Sequence, residues 1–315
     1  MFHYKFQFTF RLKTQKDSIL ANHLKKVLKN KTLVSDGAMG TLLHAQGLPI
    51  GHCPEEWNIS HPEVLTHIHK NYYDAGADIV ETNTFGGSRY RLRLYGFEDK
   101  VYEFNKQGAA LAKAVCPAGK FVAGSVGPTG EFLQPLGITT FEEMEFAFSE
   151  QIQGLIDGGV DVLFIETMSY VEEIKAAVNA TVKINPDIPM VCSMSFEKGA
   201  AGFRTMMGTS IKDMVNELAD THVTVIGANC GKGTDEMVGI MKEFRHFTDM
   251  PLLAQANAGL PETLNGEIVY SETAEQRGQI TKLLLKEKVN IIGGCCGTTP
   301  AHISAIRHAV DSYQK

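Results

Sequence analysis

Cys230, Cys295 and Cys296 are the residues whose type and setting most directly imply chemistry. The adjacent pair lies in Val289-Asn-Ile-Ile-Gly-Gly-Cys-Cys-Gly-Thr-Thr-Pro300, between glycines at the end of a short β-rich run. Cys230 ends a similar run, Val223-Thr-Val-Ile-Gly-Ala-Asn-Cys230. Three thiols on two strand ends suit a three-thiolate zinc site with one position left open. Structural zinc sites are closed by four protein ligands, whereas catalytic ones keep a place for water or substrate. The pattern points to an enzyme whose substrate completes the coordination. Two other readings stand beside it. The pair could form a strained vicinal disulfide, or be two buried small residues in a tight turn, since free cysteine packs like a small hydrophobe. Cys192, in the apolar run Met190–Met194, and Cys116, before Pro117, fit the packing description; Cys53, in a Gly/Pro-rich loop, fits either. With no secretory signal in view, metal or catalytic thiols are expected rather than disulfides.

The elements that must position these thiols recur along the chain. Apolar, β-branched runs occupy Thr32–Ser35, Ala77–Asn83, Lys120–Val126, Val160–Glu166, Ile188–Ser195, Val223–Asn229, Pro251–Ala256 and Val289–Gly293. The gaps carry helical periodicity, at Glu63–Ala75, Val101–Val115, Thr140–Gly158, Tyr170–Ile184, Ser210–Ala219, Thr234–Phe247 and Ala274–Lys286. Continuous apolar strands alternating with helices belong to a parallel sheet covered on its outer face. Eight such units predict a closed (β/α)8 TIM barrel, with active-site residues at the C-terminal strand ends. Cys230 follows the sixth predicted strand and the Cys295–Cys296 pair the eighth. Other polar residues fall at the same end: Asp36 after the first, Glu81, Thr82 and Asn83 closing the second, Glu166 closing the fourth, Gln255 and Asn257 closing the seventh.

Glu166 is an acid on an otherwise apolar strand, so it must be paired, hydrogen-bonded or protonated. It reads either as an anchor for a substrate ammonium or as the partner of an internal Lys or Arg. Asp36 reads as a second anchor or as an ordinary turn or N-cap residue. Gly37, Ala38 and Gly40 leave room for a ligand to approach backbone N–H groups, where a carboxylate can bind. Together these groups would recognise an amino acid, with a side-chain thiol directed to the metal. Two glycine-rich stretches are set aside. Residues 227–234 lack phosphate-loop spacing, and in residues 124–130 Pro128 removes a donor. His52, His61, His67 and His69 follow no metal motif and are assigned to packing or solvent.

Bulk properties bound the rest. The 315 residues are 43% hydrophobic and 21% charged, with a net charge of −6. This is ordinary globular composition with enough chain for one large barrel. No basic run occurs outside the N-terminus, which argues against nucleic acid. No apolar stretch approaches the roughly 20 residues of a membrane span, and a cytoplasmic location is expected. Residues 1–30 read as an N-terminal extension, aromatic and polar over Met1–Lys13 and helical over Ser18–Leu28, ahead of a barrel over residues 31–315.

The same residues carry a family resemblance. Asp36-Gly-Ala-Met-Gly-Thr, Asn229-Cys230 and Gly293-Gly-Cys-Cys-Gly-Thr-Thr-Pro300 resemble the signatures of the homocysteine S-methyltransferase family, over roughly residues 30–312. Thr82-Asn-Thr-Phe-Gly86 and Gly127-Pro-Thr-Gly-Glu with Pro135-Leu-Gly137 are most similar to the homocysteine-binding domain of cobalamin-dependent methionine synthase. The resemblance implies a zinc held by Cys230, Cys295 and Cys296. It also implies homocysteine as substrate, bound by Asp36, the Gly37–Ala38 backbone, Glu166 and Asn229. The implied donor is methylcobalamin or another methyl-corrinoid, supplied by a separate protein or domain, because no folate or corrinoid module is evident in this chain. Betaine, S-methylmethionine and S-adenosylmethionine are the alternative donors; a zinc hydrolase and a thiol-sensing zinc protein are alternatives of another class. The loops at Gly86–Tyr90, Pro128–Gly137 and Phe196–Met207 are the expected contacts for a corrinoid carrier.

Overall fold

The computed structural model describes residues 24–200, 202–264 and 267–313. Eight parallel strands form one sheet: β1 (Leu33–Val34), β2 (Ile79–Glu81), β3 (Phe121–Val126), β4 (Val162–Met168), β5 (Met190–Met194), β6 (Val225–Cys230), β7 (Leu252–Ala256) and β8 (Ile291–Gly294). Their order, β1-β8-β7-β6-β5-β4-β3-β2, brings the first and second strands to the two ends of the sheet. A parallel bridge between Ser35 and Ile79 joins those ends into a barrel. Helices follow the strands around the outside, as the sequence pattern predicts, and an eighth long one, Pro300–Tyr313, follows β8.

The two-residue period of the strands sorts side chains into two cores. Val34, Val80, Val122, Leu163, Ile226, Leu252 and Ile292 face the helices. Leu33, Ile79, Phe121, Val162, Phe164, Val191, Val225, Leu253 and Ile291 fill the barrel interior, together with Leu24 and Leu28. Residues 24–28 are helical, so the end of the predicted extension plugs the N-terminal mouth. Residues 1–23 of that extension lie outside the described residues.

The closing seam is short and relies on carboxylates. The Asp78 N–H donates to the Val34 carbonyl at 2.6 Å, and the Val34 N–H returns a bond to Asp78 Oδ2 at 3.1 Å. Asp78 is buried yet meets Lys120 at 2.7 Å, Arg307 at 2.9 Å and Lys31 at 3.5 Å. Burial opposes its ionisation, but the bond from Lys120 and the surrounding charges hold its carboxyl below the usual value. Removing one partner of a buried ion network typically costs about 3–5 kcal/mol. Asp78→Ala should lose stability of that order in urea denaturation at neutral pH. The advantage of the parent chain should be full above pH 3.8 and fade as pH falls below it, because a depressed carboxyl stabilises the fold only while ionised.

Two loops depart from the sequence reading. The Gly- and Met-rich stretch after β5, expected as an adaptable loop, contains a hairpin, Glu197–Gly199 with Gly202–Arg204. Its buried Phe203 packs near Gly239 of the helix Thr234–Phe247. A second hairpin, Pro261–Leu264 with Glu267–Tyr270, follows β7 and was not foreseen.

Candidate functional site

Above the apolar layer, the next inward positions of the strands are polar or small: Ser35, Glu81, Ser125, Glu166, Ser193, Asn229, Gln255 and Gly293. They form a connected floor at the C-terminal mouth. Gln255 Nε2 donates to Ser35 Oγ at 3.0 Å and also bonds Glu81. Ser125 Oγ donates to Glu166 at 2.5 Å. Ser193 Oγ donates to Asn229 Oδ1 at 2.8 Å. A Cβ at Gly293 would lie 1.9 Å from Ser35 Oγ, so only glycine fits that place in the ring.

The three thiols meet on one wall. Their sulfurs all lie within 4.8 Å of one another, and Cys230 and Cys295 are 2.9 Å apart. All six cysteines are free, so the vicinal-disulfide alternative does not hold. Cys192 is buried among helix-facing apolar residues, and Cys53 is buried with its thiol directed at Glu55. Cys230 has φ 62° and Thr167, near the end of β4, has φ 60°. Left-handed backbone is strained for both residues. Asn229 braces them: its Oδ1 accepts from the Thr167 N–H at 2.9 Å, and its Nδ2 donates to Thr167 Oγ1 at 2.6 Å and to Glu166 at 3.2 Å. The sequence motif singles out Asn229, but only the fold reveals this bracing.

The thiols titrate as a group. Hydrogen bonds from Cys230 and Cys295 hold Cys296 down to about 3. Bonds to Cys230 and Cys296, together with burial, push Cys295 well up. One thiolate shared by three sulfurs is what such crowding permits, and a metal cation would supply the charge needed to ionise the others. The donor set therefore fits zinc: soft sulfur ligands, converging, with no fourth Cys, His or carboxylate in the cluster among the described residues.

Opposite the thiols stands a trio of carboxyls. Asp36 and Glu166 are buried and Glu81 lies between them in the ring. Burial raises all three above the usual carboxylate range, and the charges of Glu166 and Asp36 push Glu81 further. Glu81 and Glu166 share a hydrogen bond, which requires a proton on one of them. The internal Lys or Arg weighed for Glu166 does not appear among its partners, which are Ser125, Asn229 and Glu81. Asp36 Oδ2 accepts from the Glu81 N–H at 2.9 Å, whereas Oδ1 is buried without a partner. Glu81 was recognised in the sequence only as a strand-end residue. An acid two positions beyond buried Ile79 was the signal for its inward direction.

The loop after β1 is tied to the cysteine loop. The Ala38 N–H donates to the Thr298 carbonyl at 3.2 Å and to its Oγ1 at 3.1 Å. Tyr72 OH donates to the Ala38 carbonyl at 2.7 Å. A Cβ at Gly37 would sit 2.5 Å from Thr298 Oγ1. The Ala38 N–H expected to be free for a carboxylate is thus already engaged.

Thiols, carboxyls and the β1 loop line one cavity of about 310 Å³, which continues past Glu55, Phe85, Arg91 and Tyr95. Tyr270, on the unforeseen second hairpin, lies against Gly297 beside the thiols and has its hydroxyl pushed up to about 12, chiefly by burial.

A sequence profile described as homocysteine S-methyltransferase matches residues 33–310. The methionine synthases of Mycobacterium tuberculosis and Mycobacterium leprae are 32% and 31% identical over 92% and 91% of this chain. The chain spans about a quarter of the length of those relatives. Among solved structures, the metallated form of the homocysteine methyltransferase MmuM from Escherichia coli superposes with a TM-score of 0.76 at 24% identity, covering 91% of this chain and 99% of that one. At that identity the likeness speaks for the barrel fold. Among the described residues no helix is long and apolar enough to cross a membrane.

Proposed function

The chain belongs to the homocysteine S-methyltransferase family, and from that premise we propose that it moves a methyl group onto the thiol of homocysteine, giving methionine. The observation that carries the reading is one cavity with three convergent thiols on one wall and three carboxyls on the other, two of them buried and one with an unpartnered oxygen. An amino acid bearing a thiol complements both walls.

In this reading Cys230, Cys295 and Cys296 hold zinc. When bound, zinc lowers the pKa of a coordinated substrate thiol, so that its sulfur is an electron-rich nucleophile at neutral pH. The chain's own groups do the orienting. Asp36 and Glu166 accept hydrogen bonds from the substrate ammonium, and Glu81 carries the proton that lets two neighbouring carboxyls coexist. Asn229 holds Glu166 and the strained turns at Thr167 and Cys230. The substrate carboxylate lies against the loop at Gly37, and reaching the Ala38 N–H requires displacing both the Thr298 carbonyl and Thr298 Oγ1. The apolar layer beneath the polar floor keeps water from entering below.

A methyl-corrinoid presented by a separate protein or domain is the donor we favour. Several rim side chains are exposed and apolar, among them Phe132, Leu136, Ile138, Met206 and Leu260. Exposed apolar groups clustered on loops suit a transient partner. Recognition of a quaternary ammonium would call for an aromatic cage. Of Trp57, Phe85 and Tyr90, only Phe85 lines the cavity, and Trp57 stacks on His61 instead. Arg89, in the Gly86–Tyr90 loop expected to meet the carrier, pairs bidentately with buried Glu150, so changing it would disturb the fold as well as any docking. Phe132→Ser and Ile138→Ser are the cleaner changes.

A donor panel with purified protein and homocysteine tests the reading. Methyl transfer from methylcobalamin is expected, and turnover with betaine alone would overturn the donor assignment. X-ray absorption of the zinc protein should change from three sulfur ligands to four when homocysteine is added. An unchanged sulfur count would favour a hydrolase or thiol sensor.

A further inference from the structure

We propose that Arg277 is a positioning residue for the thiolate centre, clamping together the strand ends that carry its ligands. The inference rests on the zinc reading given above. Arg277 lies in the first turn of the helix Ala274–Lys286, which opens with a capping box from Thr273 and Gln276. Its side chain is 1% exposed, the largest among the fully buried ones. A guanidinium in that position must satisfy five N–H donors, and all five are used. NH1 donates to the carbonyls of Ala256 and Gly293, both at 3.2 Å. NH2 donates to Ala256 at 3.1 Å and to Asn257 at 2.8 Å. Nε donates to Glu272.

These acceptors are not scattered. Ala256 ends β7 and Asn257 follows it, and Gly293 lies in β8 two residues before Cys295. The Ala256 carbonyl also accepts the Cys295 N–H at 2.9 Å. The Asn257 Oδ1 accepts the Cys296 N–H at 3.0 Å, and its Nδ2 donates to the Gly231 carbonyl, next to Cys230, at 2.7 Å. Glu272 carries the connection to the third strand: its Oε2 accepts from Thr234 Oγ1 at 2.7 Å, at the start of the helix after β6. The Arg277–Glu272 pair therefore spans the ends of β6, β7 and β8, where Cys230, Asn257 and the cysteine pair lie. The arginine acts through backbone carbonyls and touches no reacting atom.

Lysine cannot reproduce this clamp. It offers three donors from one point, where arginine offers a planar fork of five. Groups that orient metal ligands from behind typically contribute about 10–100-fold to metal affinity. Zinc affinity, measured by competition with a chromophoric chelator, should fall by about that factor in Arg277→Lys. The visible spectrum of the cobalt-substituted variant should shift as the three sulfurs lose their fixed geometry. Thermal melts and circular dichroism run alongside, and Glu272→Gln keeps the question open to test if the Arg277 variant does not fold. Glu272→Gln removes the anion while preserving shape, and a smaller drop in zinc affinity is expected. Folded variants with parental affinity and cobalt spectrum would overturn the role given to Arg277. Failure of the parent chain itself to bind zinc would sink the metal reading, and this proposal with it.

Discussion

Replacing Cys296 with serine should weaken zinc binding by about 300- to 8,000-fold, a third of the roughly 10–16 kcal/mol that structural zinc sites contribute, and abolish detectable methyl transfer. Cys296 is exposed at the cavity rim, so the same change should leave the fold intact. That separation makes the variant informative. Cys192→Ser is the counterpart, since Cys192 is fully buried among outer-core side chains. It should lower the melting temperature and leave zinc affinity alone. Metal analysis, chelator competition and thermal melts on the two proteins give opposite patterns if the thiols divide as described. Full zinc content in Cys296→Ser would remove it from the ligand set.

The barrel was legible because parallel strands covered on both sides are written as continuous apolar runs, and eight of these alternate with helices. The mouth was legible for a related reason: a polar residue that follows such a run, as Glu166, Asn229 and Gln255 do, marks where the apolar layer stops. Contacts made by side chains distant in sequence were not legible. Asp36 and Glu81 bond across the seam between the first two strands, and no local pattern encodes that pairing. The engagement of the Ala38 N–H by Thr298 joins positions 260 residues apart. The hairpins after β5 and β7 escaped notice because strands of three or four residues are too short to show alternation. The burial of Arg277 depends on where β7 and β8 end, which the helical pattern of Ala274–Lys286 does not show.

Asp36→Asn should stabilise the protein and disable it together. Burial raises the Asp36 carboxyl well above its usual range, with the charge of Glu166 adding to the effect. The fold therefore prefers this group protonated, and ionising it at neutral pH costs stability. Asparagine keeps the oxygen that accepts the Glu81 N–H and removes the charge. A gain of about 1 kcal/mol would raise the melting temperature by about 2 °C in a chain of this size. The gain should be present at neutral pH and vanish as pH falls below 3.8, where the parental carboxyl is protonated in both folded and unfolded chains. Homocysteine binding should move the other way. A hydrogen bond to a charged group contributes about 1.5–3 kcal/mol, which corresponds to about a 10- to 150-fold rise in KM. The desamino analogue of homocysteine, which has no ammonium to lose, should bind parent and variant equally. If that analogue weakens in parallel with homocysteine, Asp36 supports the shape of the cavity and does not select the amino group.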